Sequence, residues 1–264
     1  MRDLGEPQMS RREILRHPGH GDLARSVAAM LATRIADRQT QEEIVHLVLT
    51  GGGIGTEVLA ELSRAPARDA IDWARVECWW GDERFEPSGS PERNETSARA
   101  VLLDHVPIRD HRVHPIPGPD RATTAESSAA DYADALRASA SGAAPVPDFA
   151  IVLLGIGPEG HVASIFPEHP AAHVEEASVV SVHGSPKPPP TRITLTFPAL
   201  NAGREVWVLA SGIEKARAIR LACDPTAGRL QIPAAGVRGT ERTLLCIDEA
   251  AAAELPADLG RMMS

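Results

Sequence analysis

Aromatic residues are scarce in this sequence, at 3% of 264 residues. Cysteine is rare as well: the three thiols, Cys78, Cys223 and Cys246, lie far apart, show no CxxC spacing and are odd in number. This pattern argues against a disulfide framework or a cysteine zinc site, and it favours reduced thiols in a cytoplasmic protein. With so few aromatic rings, the core is expected to consist of valine, leucine, isoleucine and alanine.

Long apolar runs and basic tails are also missing. No stretch of about eighteen or more apolar residues occurs, and the N-terminal segment MRDLGEPQMSRREILRHP lacks the apolar core of a signal peptide. We therefore expect no membrane association and no export. The formal net charge of −9 argues against nucleic-acid binding, so an anionic ligand would need a local cluster of cations.

The remaining sequence alternates between apolar runs of strand length and segments with helical spacing. Strands are expected at Ile44–Leu49, Val76–Trp80, Phe149–Leu154, Val206–Ala210 and Leu244–Ile247. The alternation predicts an α/β fold with a mainly parallel, doubly wound sheet that carries helices on both faces. The length of 264 residues suits one large domain or two small ones, and the linker SGAAPVP is the best candidate for a boundary.

Individual residues and short segments indicate where several of the predicted helices and strands begin. The polar residues 1–10 are expected to form a loose terminus, followed by a short edge strand at Arg12–Arg16. Three polar side chains are expected to cap the helices that follow them: Asp22, Asn94 and Asp248. The helix expected after Asp248 is the alanine-rich terminal helix.

The stretch DFAIVLLGIGPEGHVASIFP, residues 148–167, contains the first candidate for chemistry. A strand buried on both faces runs into a glycine-rich turn, and His161 follows directly, before an apolar patch that is expected to start a helix. Ligands of open α/β sheets bind beyond the carboxyl ends of the strands, so His161 is well placed for proton transfer. The alternative is a structural or surface histidine.

A second glycine-rich turn, TGGGIGT at 50–56, lies between a strand and a helix. The backbone N–H groups of Gly51, Gly52 and Gly53 would meet there at the positive end of the helix dipole, which suits a phosphate. The segment is neither a P-loop nor a dinucleotide fingerprint. A glycine turn that merely packs the helix closely on the sheet is the alternative.

Charged residues mark two further segments. Asp82 and Arg84 follow the strand at 76–80 and form either a solvated turn or part of a site. Lys187 and Arg192 lie in SPKPPPTR, where four prolines restrict the backbone and hold both cations in fixed directions, unless the loop is only a rigid spacer.

Two histidine pairs are candidates for metal ligands. His111 and His114 are three residues apart, but a third ligand is not evident in the sequence. His169 and His173 are four apart with glutamates nearby, but Pro170 lies between them and the HExxH pattern is missing. We therefore expect no metal.

Four stretches, in this order along the chain, resemble the 6-phosphogluconolactonase family: LTGGGIGTEVLAEL, WWGDERFEPSGSPERNETSARAVLL, DFAIVLLGIGPEGHVASIFP and SPKPPPTRITLTFPALNAGREVWVLASGIEKARAI. The resemblance implies a Rossmann-like fold, shared with glucosamine-6-phosphate deaminases, in one domain over residues 11–264. It also implies hydrolysis of 6-phospho-D-glucono-1,5-lactone to 6-phospho-D-gluconate in the oxidative pentose phosphate pathway, with no cofactor and no metal.

The resemblance further implies roles for individual residues. His161 matches the catalytic histidine of the Gly-His-x-Ala-Ser segment. Arg84 matches the arginine of the Asp-Glu-Arg motif, to which Asp82 also belongs, and Asn94 matches the asparagine that follows this motif. Together with the cations that match Lys187 and Arg192, and with the first glycine turn, these residues are expected to bind the phosphorylated substrate.

Departures from the family pattern leave alternatives open. Gly53-Ile54-Gly55 replaces the usual Ser-Thr-Pro, and Glu159, which is expected to orient the imidazole, stands where aspartate is common. A non-catalytic sugar-phosphate-binding protein and a glucosamine-6-phosphate deaminase-like isomerase are therefore alternatives to the lactonase. The expected partner is a small phosphosugar lactone, and the expected state is a monomer or a weak homo-oligomer.

Overall fold

The protein is described by a computed structural model that covers residues 12–263, so the predicted loose segment 1–10 lies outside the described residues. Ten strands are present in the described part. They are β1 (Arg12–His17), β2 (Val45–Leu49), β3 (Val76–Trp80), β4 (Asp82–Arg84), β5 (Phe149–Gly155), β6 (Val179–Val182), β7 (Arg192–Leu195), β8 (Glu205–Ala210), β9 (Arg242–Asp248) and β10 (Arg261–Met262). The five predicted sheet strands are confirmed to within two residues at each end.

Seven strands form one sheet in the order β10-β1-β9-β8-β5-β2-β3, and every neighbouring pair is parallel. The predicted mainly parallel α/β fold is therefore confirmed. Strand β5 lies near the middle of the sheet, where residues 149–154 are at most 2% exposed. Such burial on both faces is the reason for its unbroken apolar sequence. The predicted edge strand at Arg12–Arg16 is correct in position, but β10 covers its outer side.

The direction in which strands are added to the sheet reverses between β2 and β5. From β2 the chain adds β3 on one side, and it later adds β5, β8 and β9 on the other. Parallel sheets bind ligands at such a switch point, beyond the carboxyl ends of the two strands. Here the two ends are in contact, since the N–H of Gly155 donates to Oγ1 of Thr50 at 3.2 Å. The two glycine-rich turns therefore lie side by side.

A small antiparallel sheet, in the order β4-β7-β6, borders the same edge. It is joined to the large sheet by the N–H of Leu195, which donates to the carbonyl of Gly81 at 2.8 Å. The pairing of β4 with β7 places Arg84 opposite Arg192. Two segments more than a hundred residues apart thus deliver cations to one place.

Seven α-helices lie in the described part: α1 (His20–Gln39), α2 (Gly52–Arg64), α3 (Asn94–Val101), α4 (Ala125–Ala138), α5 (Phe197–Asn201), α6 (Ala216–Ala222) and α7 (Pro233–Gly236). Helix α2 begins at the predicted glycine turn. No helix among residues 12–263 combines the length and the apolar character needed to cross a membrane.

The predicted caps are wrong. Gly19 precedes α1, and Asp22 lies inside the first turn, where it pairs with Arg25 at 2.6 Å. Asn94 is itself the first residue of α3, since Arg93 occupies the cap position. The segment after Asp248 forms turns instead of a helix. Pro256, which has no backbone N–H, follows Asp248 after seven residues and would limit any helix here to about two turns.

Two other expectations are corrected. The segment after His161 does not start a helix: it forms a tight turn in which the N–H of Ile165 donates to the carbonyl of Val162 at 2.9 Å. The core is largely aliphatic, as expected, but it also contains all four tryptophans, each at most 4% exposed. Large rings fill volume efficiently, so a few of them contribute much of the core in spite of their low number.

Candidate active site

A cavity of about 250 Å³ lies at the carboxyl ends of β2 and β5. Eight of the ten residues predicted for the site line it: Gly51, Gly52, Asp82, Arg84, Asn94, His161, Lys187 and Arg192. Glu159 lies behind His161. Gly53 does not line the cavity, and a side chain there would meet nothing within 4 Å. The unusual Gly53-Ile54-Gly55 sequence therefore lies outside the cavity wall.

The imidazole of His161 is held on two sides. Its Nδ1 lies 2.9 Å from Oε1 of Glu159, and its ring centroid lies 4.5 Å from that of Phe166. Gly157 permits this arrangement, because a Cβ at that position would lie 2.0 Å from Nδ1. The side chain of His161 remains 14% exposed. The histidine is therefore oriented by the protein and still open to the cavity.

Glu159 determines which nitrogen of His161 carries the proton. Burial alone would raise the pKa of Glu159, but its hydrogen bond to His161, its backbone hydrogen bond and the charges of His161 and Lys187 lower that pKa to about 2. An ionised carboxylate only accepts hydrogen bonds, so Nδ1 is the donor. In the neutral ring, Nε2 is then the free base.

The chain contains only two lysines among its 27 basic residues, and both line this cavity. Lys187 comes from the proline-rich loop, and its Nζ lies 3.2 Å from Oε2 of Glu159. Lys215 comes from the turn between β8 and α6. Burial lowers the pKa of Lys215, and the charge of Lys187 lowers it further. Lys215 was not predicted, although it follows a strand end and a Ser-Gly turn, which is the signal that identified the other segments.

Arg192 supports the proline-rich loop as well as lining the cavity. Its Nε donates to the carbonyl of Pro189 at 3.2 Å, and its Nη2 donates to the carbonyls of Lys187 and Pro188, each at 3.1 Å. Its guanidinium carbon lies 5.8 Å from the ring centroid of Phe166. Arg192 is 4% exposed, and burial lowers its pKa. The loop is thus held in position by this arginine and not by its prolines alone.

Asp82 connects three parts of the site. Its Oδ2 accepts a hydrogen bond from Oγ of Ser164 at 2.6 Å, and its carbonyl accepts one from Nδ2 of Asn94 at 2.9 Å. Asn94 also explains the first glycine of the turn, since a Cβ on Gly51 would lie 1.8 Å from Oδ1 of Asn94. The segment that carries His161, the Asp-Glu-Arg strand and the start of α2 are therefore in close contact.

Glu83 stabilises the start of α3 from below the site. Its carboxylate is 1% exposed and accepts hydrogen bonds from the N–H groups of Arg84, Asn94 and Glu95 at 2.7–2.9 Å. A negative charge at a helix N-terminus is favourable because of the helix dipole. Glu83 therefore fixes the backbone on either side of the loop between β4 and α3.

One histidine of each candidate metal-binding pair makes other contacts. His114 stacks on Trp79 with ring centroids 3.8 Å apart, and its Nε2 lies 3.1 Å from Oε2 of Glu77. The Nδ1 of His169 accepts from the N–H of Ala171 at 3.2 Å. Among residues 12–263, no group of three potential ligands is arranged to hold a metal ion.

A larger cavity, of about 580 Å³, lies beside α1, away from His161. Its arginines are already paired with carboxylates: Arg25 with Asp22, Arg34 with Glu205 and Arg242 with Glu13. An anionic ligand would have to compete with these carboxylates. The smaller cavity, where two lysines and two arginines meet the histidine, is therefore the candidate active site.

Known sequences match most of the chain. Residues 18–246 match the family model described as glucosamine-6-phosphate isomerases/6-phosphogluconolactonase. The chain is 51% identical over 241 residues to a 6-phosphogluconolactonase of Streptomyces coelicolor, covering 90% of this chain and 92% of that one. It is 46% identical over 216 residues to a 6-phosphogluconolactonase of Mycobacterium tuberculosis, covering 80% and 85%.

Solved structures of related proteins share the fold of this chain. The structure of 6-phosphogluconolactonase from Trypanosoma brucei matches with a TM-score of 0.80 at 27% identity, covering 94% of this chain and 100% of that one. The enzyme of the same name from Thermotoga maritima matches with a TM-score of 0.77 at 27% identity, covering 90% and 100%. A monomeric glucosamine-6-phosphate deaminase, at 19% identity with a TM-score of 0.75 and coverage of 91% and 99%, shares the fold.

Proposed function

Since the chain belongs to the family of glucosamine-6-phosphate isomerases and 6-phosphogluconolactonases, we propose that it hydrolyses 6-phospho-D-glucono-1,5-lactone to 6-phospho-D-gluconate in the oxidative pentose phosphate pathway. The observation that carries this proposal is the pairing of His161 with the ionised Glu159 at the wall of a cavity that also contains Arg84, Lys187 and Lys215. His161 and Glu159 suit proton transfer, and Arg84, Lys187 and Lys215 suit the binding of a phosphate.

The histidine performs two proton transfers in this reaction. Nε2 of His161 takes a proton from water as the water oxygen bonds to C1 of the lactone. The bond between C1 and the ring oxygen then breaks, and the ring oxygen leaves as the C5 hydroxyl with the proton that His161 returns. Glu159 keeps the ring in the required tautomer and stabilises the imidazolium that exists between the two transfers.

The cations bind the phosphate and position the ring. The protein as a whole carries a net charge of −9, so the attraction must come from a local cluster. Lys187, Lys215 and Arg84 supply charge at the cavity wall, and the start of α2 at Gly51 and Gly52 supplies backbone donors. Arg192 contributes to this wall and maintains the loop that carries Lys187. Asp82 and Asn94 complete the contacts to the sugar.

The test is a coupled assay of freshly made 6-phosphogluconolactone, corrected for its spontaneous hydrolysis. The proposal expects saturable hydrolysis by the purified chain. Saturable binding of a phosphosugar without hydrolysis would favour the non-catalytic alternative. Release of ammonia from glucosamine 6-phosphate would favour the deaminase.

The sequence also bears on the location, the domain organisation and the oligomeric state of the protein. We propose a cytoplasmic location, a single domain over residues 11–264, and a monomer or weak homo-oligomer without a macromolecular partner. Fractionation of the native cells and the mass of the purified chain in solution would test the location and the state.

A further inference from the structure

We propose that Glu159 couples the binding of phosphate at Lys187 to proton transfer at His161, so that the phosphate group of the substrate accelerates the reaction as well as holding the substrate. This inference rests on the proposed lactonase function and assigns Glu159 and Lys187 a joint role in specificity. The catalytic residue remains His161, on which Glu159 acts as a positioning residue.

The carboxylate of Glu159 contacts both His161 and Lys187. Oε1 of Glu159 lies 2.9 Å from Nδ1 of His161, and Oε2 lies 3.2 Å from Nζ of Lys187. The positive charge of Lys187 therefore offsets part of the negative potential that Glu159 exerts on the imidazole. With the cavity free of anions, Glu159 stabilises a protonated His161 less than an unshared carboxylate would.

A phosphate in the cavity changes this balance. Lys187 lines the cavity, and its side chain is 41% exposed, compared with 32% for Glu159 and 14% for His161. Of these three side chains, Lys187 is the most exposed, so its ammonium group can turn toward a dianion in the cavity. Once Lys187 pairs with phosphate, the charge of Glu159 acts on His161 alone. The imidazolium formed during water attack is then more stable, and the barrier is lower.

Two features make Glu159 suited to this role. The side chain of glutamate is one methylene longer than that of aspartate and spans the gap between the turn at 157–160 and the proline-rich loop. The second lysine offers a contrast. The charges of Glu159 and Lys187 act on Lys215, but the hydrogen bond to this carboxylate comes from Lys187. Both lysines line the cavity, so Lys215→Met is the control for Lys187→Met.

The experiment separates the phosphate from the lactone. Unphosphorylated glucono-1,5-lactone is the substrate, and phosphite dianion is added as the separate phosphate piece, at constant ionic strength maintained with chloride. In the wild type, saturating phosphite should raise the enzymatic rate, on the order of 5- to 150-fold, the usual range of coupling between two sites. Lys187→Met should lose this activation at every phosphite concentration. Lys215→Met should need more phosphite but should still show activation at saturation.

Glu159→Gln should lose the activation even though both lysines are present. The coupling is wrong if phosphite only inhibits or has no effect on the wild type, or if the two lysine variants respond alike. Far-UV circular dichroism and thermal unfolding of each variant confirm that it is folded. Hydrolysis of 6-phosphogluconolactone by the wild type is measured in parallel, so that failure of the coupling is distinguished from failure of the lactonase proposal.

Discussion

Lys187 and Lys215, the only lysines of the chain, reach the same cavity from different strand ends. Lys187 precedes β7, and Lys215 follows β8. The charge of Lys187 adds to burial in lowering the pKa of Lys215, so the two ammonium groups repel each other until an anion is bound. A cavity that places like charges together in this way favours a dianionic ligand.

Replacing Lys215 with Met should raise the KM for 6-phosphogluconolactone with a smaller change in kcat. A hydrogen bond between charged groups contributes about 1.5–3 kcal/mol, so the rise should be about 10- to 150-fold. Steady-state kinetics provide the measurement. Arg217→Met, at an exposed position two residues further along the chain, should leave KM unchanged; equal effects of both variants would remove Lys215 from the phosphate site.

His161→Ala should reduce kcat by about 10²- to 10⁴-fold, the usual contribution of a positioned acid or base. The fold should be retained, since the side chain lies at a cavity wall. His111→Ala, at an exposed histidine, is the matched control and should keep full activity. Turnover close to that of the wild type in the His161 variant would contradict the assignment.

Glu159→Gln should lower kcat at every pH of an activity assay. Because the pKa of Glu159 is about 2, its carboxylate is ionised over that whole range and accepts the hydrogen bond from Nδ1 of His161. A glutamine amide can instead donate to Nδ1, which removes the preference for the tautomer with a free base at Nε2. Steady-state kinetics at several pH values provide the measurement. An unchanged kcat would show that Glu159 does not position the base.

Ser211→Ala should weaken substrate binding through Lys215. Oγ of Ser211 donates to Oδ2 of Asp248 at 2.5 Å, and the N–H of Gly212 lies 3.2 Å from Oδ1 of the same carboxylate. These bonds hold the turn that leads into Lys215. The variant should raise KM in the wild type but have no further effect in the Lys215→Met background, as a double-mutant cycle would show. Additive effects would indicate that Ser211 acts independently of Lys215.

Glu83→Ala should destabilise the fold by about 3–5 kcal/mol, because it removes the acceptor of three buried N–H groups and the partner of the buried Arg93. Urea unfolding gives the measurement. Glu92→Ala, at an exposed site in the same loop, should change the stability by less than about 0.5 kcal/mol. A similarly small effect at Glu83 would mean that water or a shifted backbone replaces its hydrogen bonds.

Much of the site could be predicted because it follows strand ends. An apolar run with a glycine turn after it locates both the end of β5 and the end of β2, and His161 and Gly51 then follow from their neighbours in the sequence. The pairing of Glu159 with His161 is also local, across two residues. Lys215 also follows a strand end, that of β8, and a Ser-Gly turn, but its proximity to the proline-rich loop depends on a segment that is distant in sequence.

The amino-acid pattern alone specified the parallel sheet, its central strand and the histidine at that strand's end, because apolar periodicity and glycine placement act over a few residues. Tertiary structure decided the rest. The contact of Glu159 with Lys187, the bond from Ser164 to Asp82 and the convergence of both lysines each join segments that are far apart in sequence. Such contacts depend on the order of the strands in the sheet and on the reversal between β2 and β5, which local periodicity does not encode.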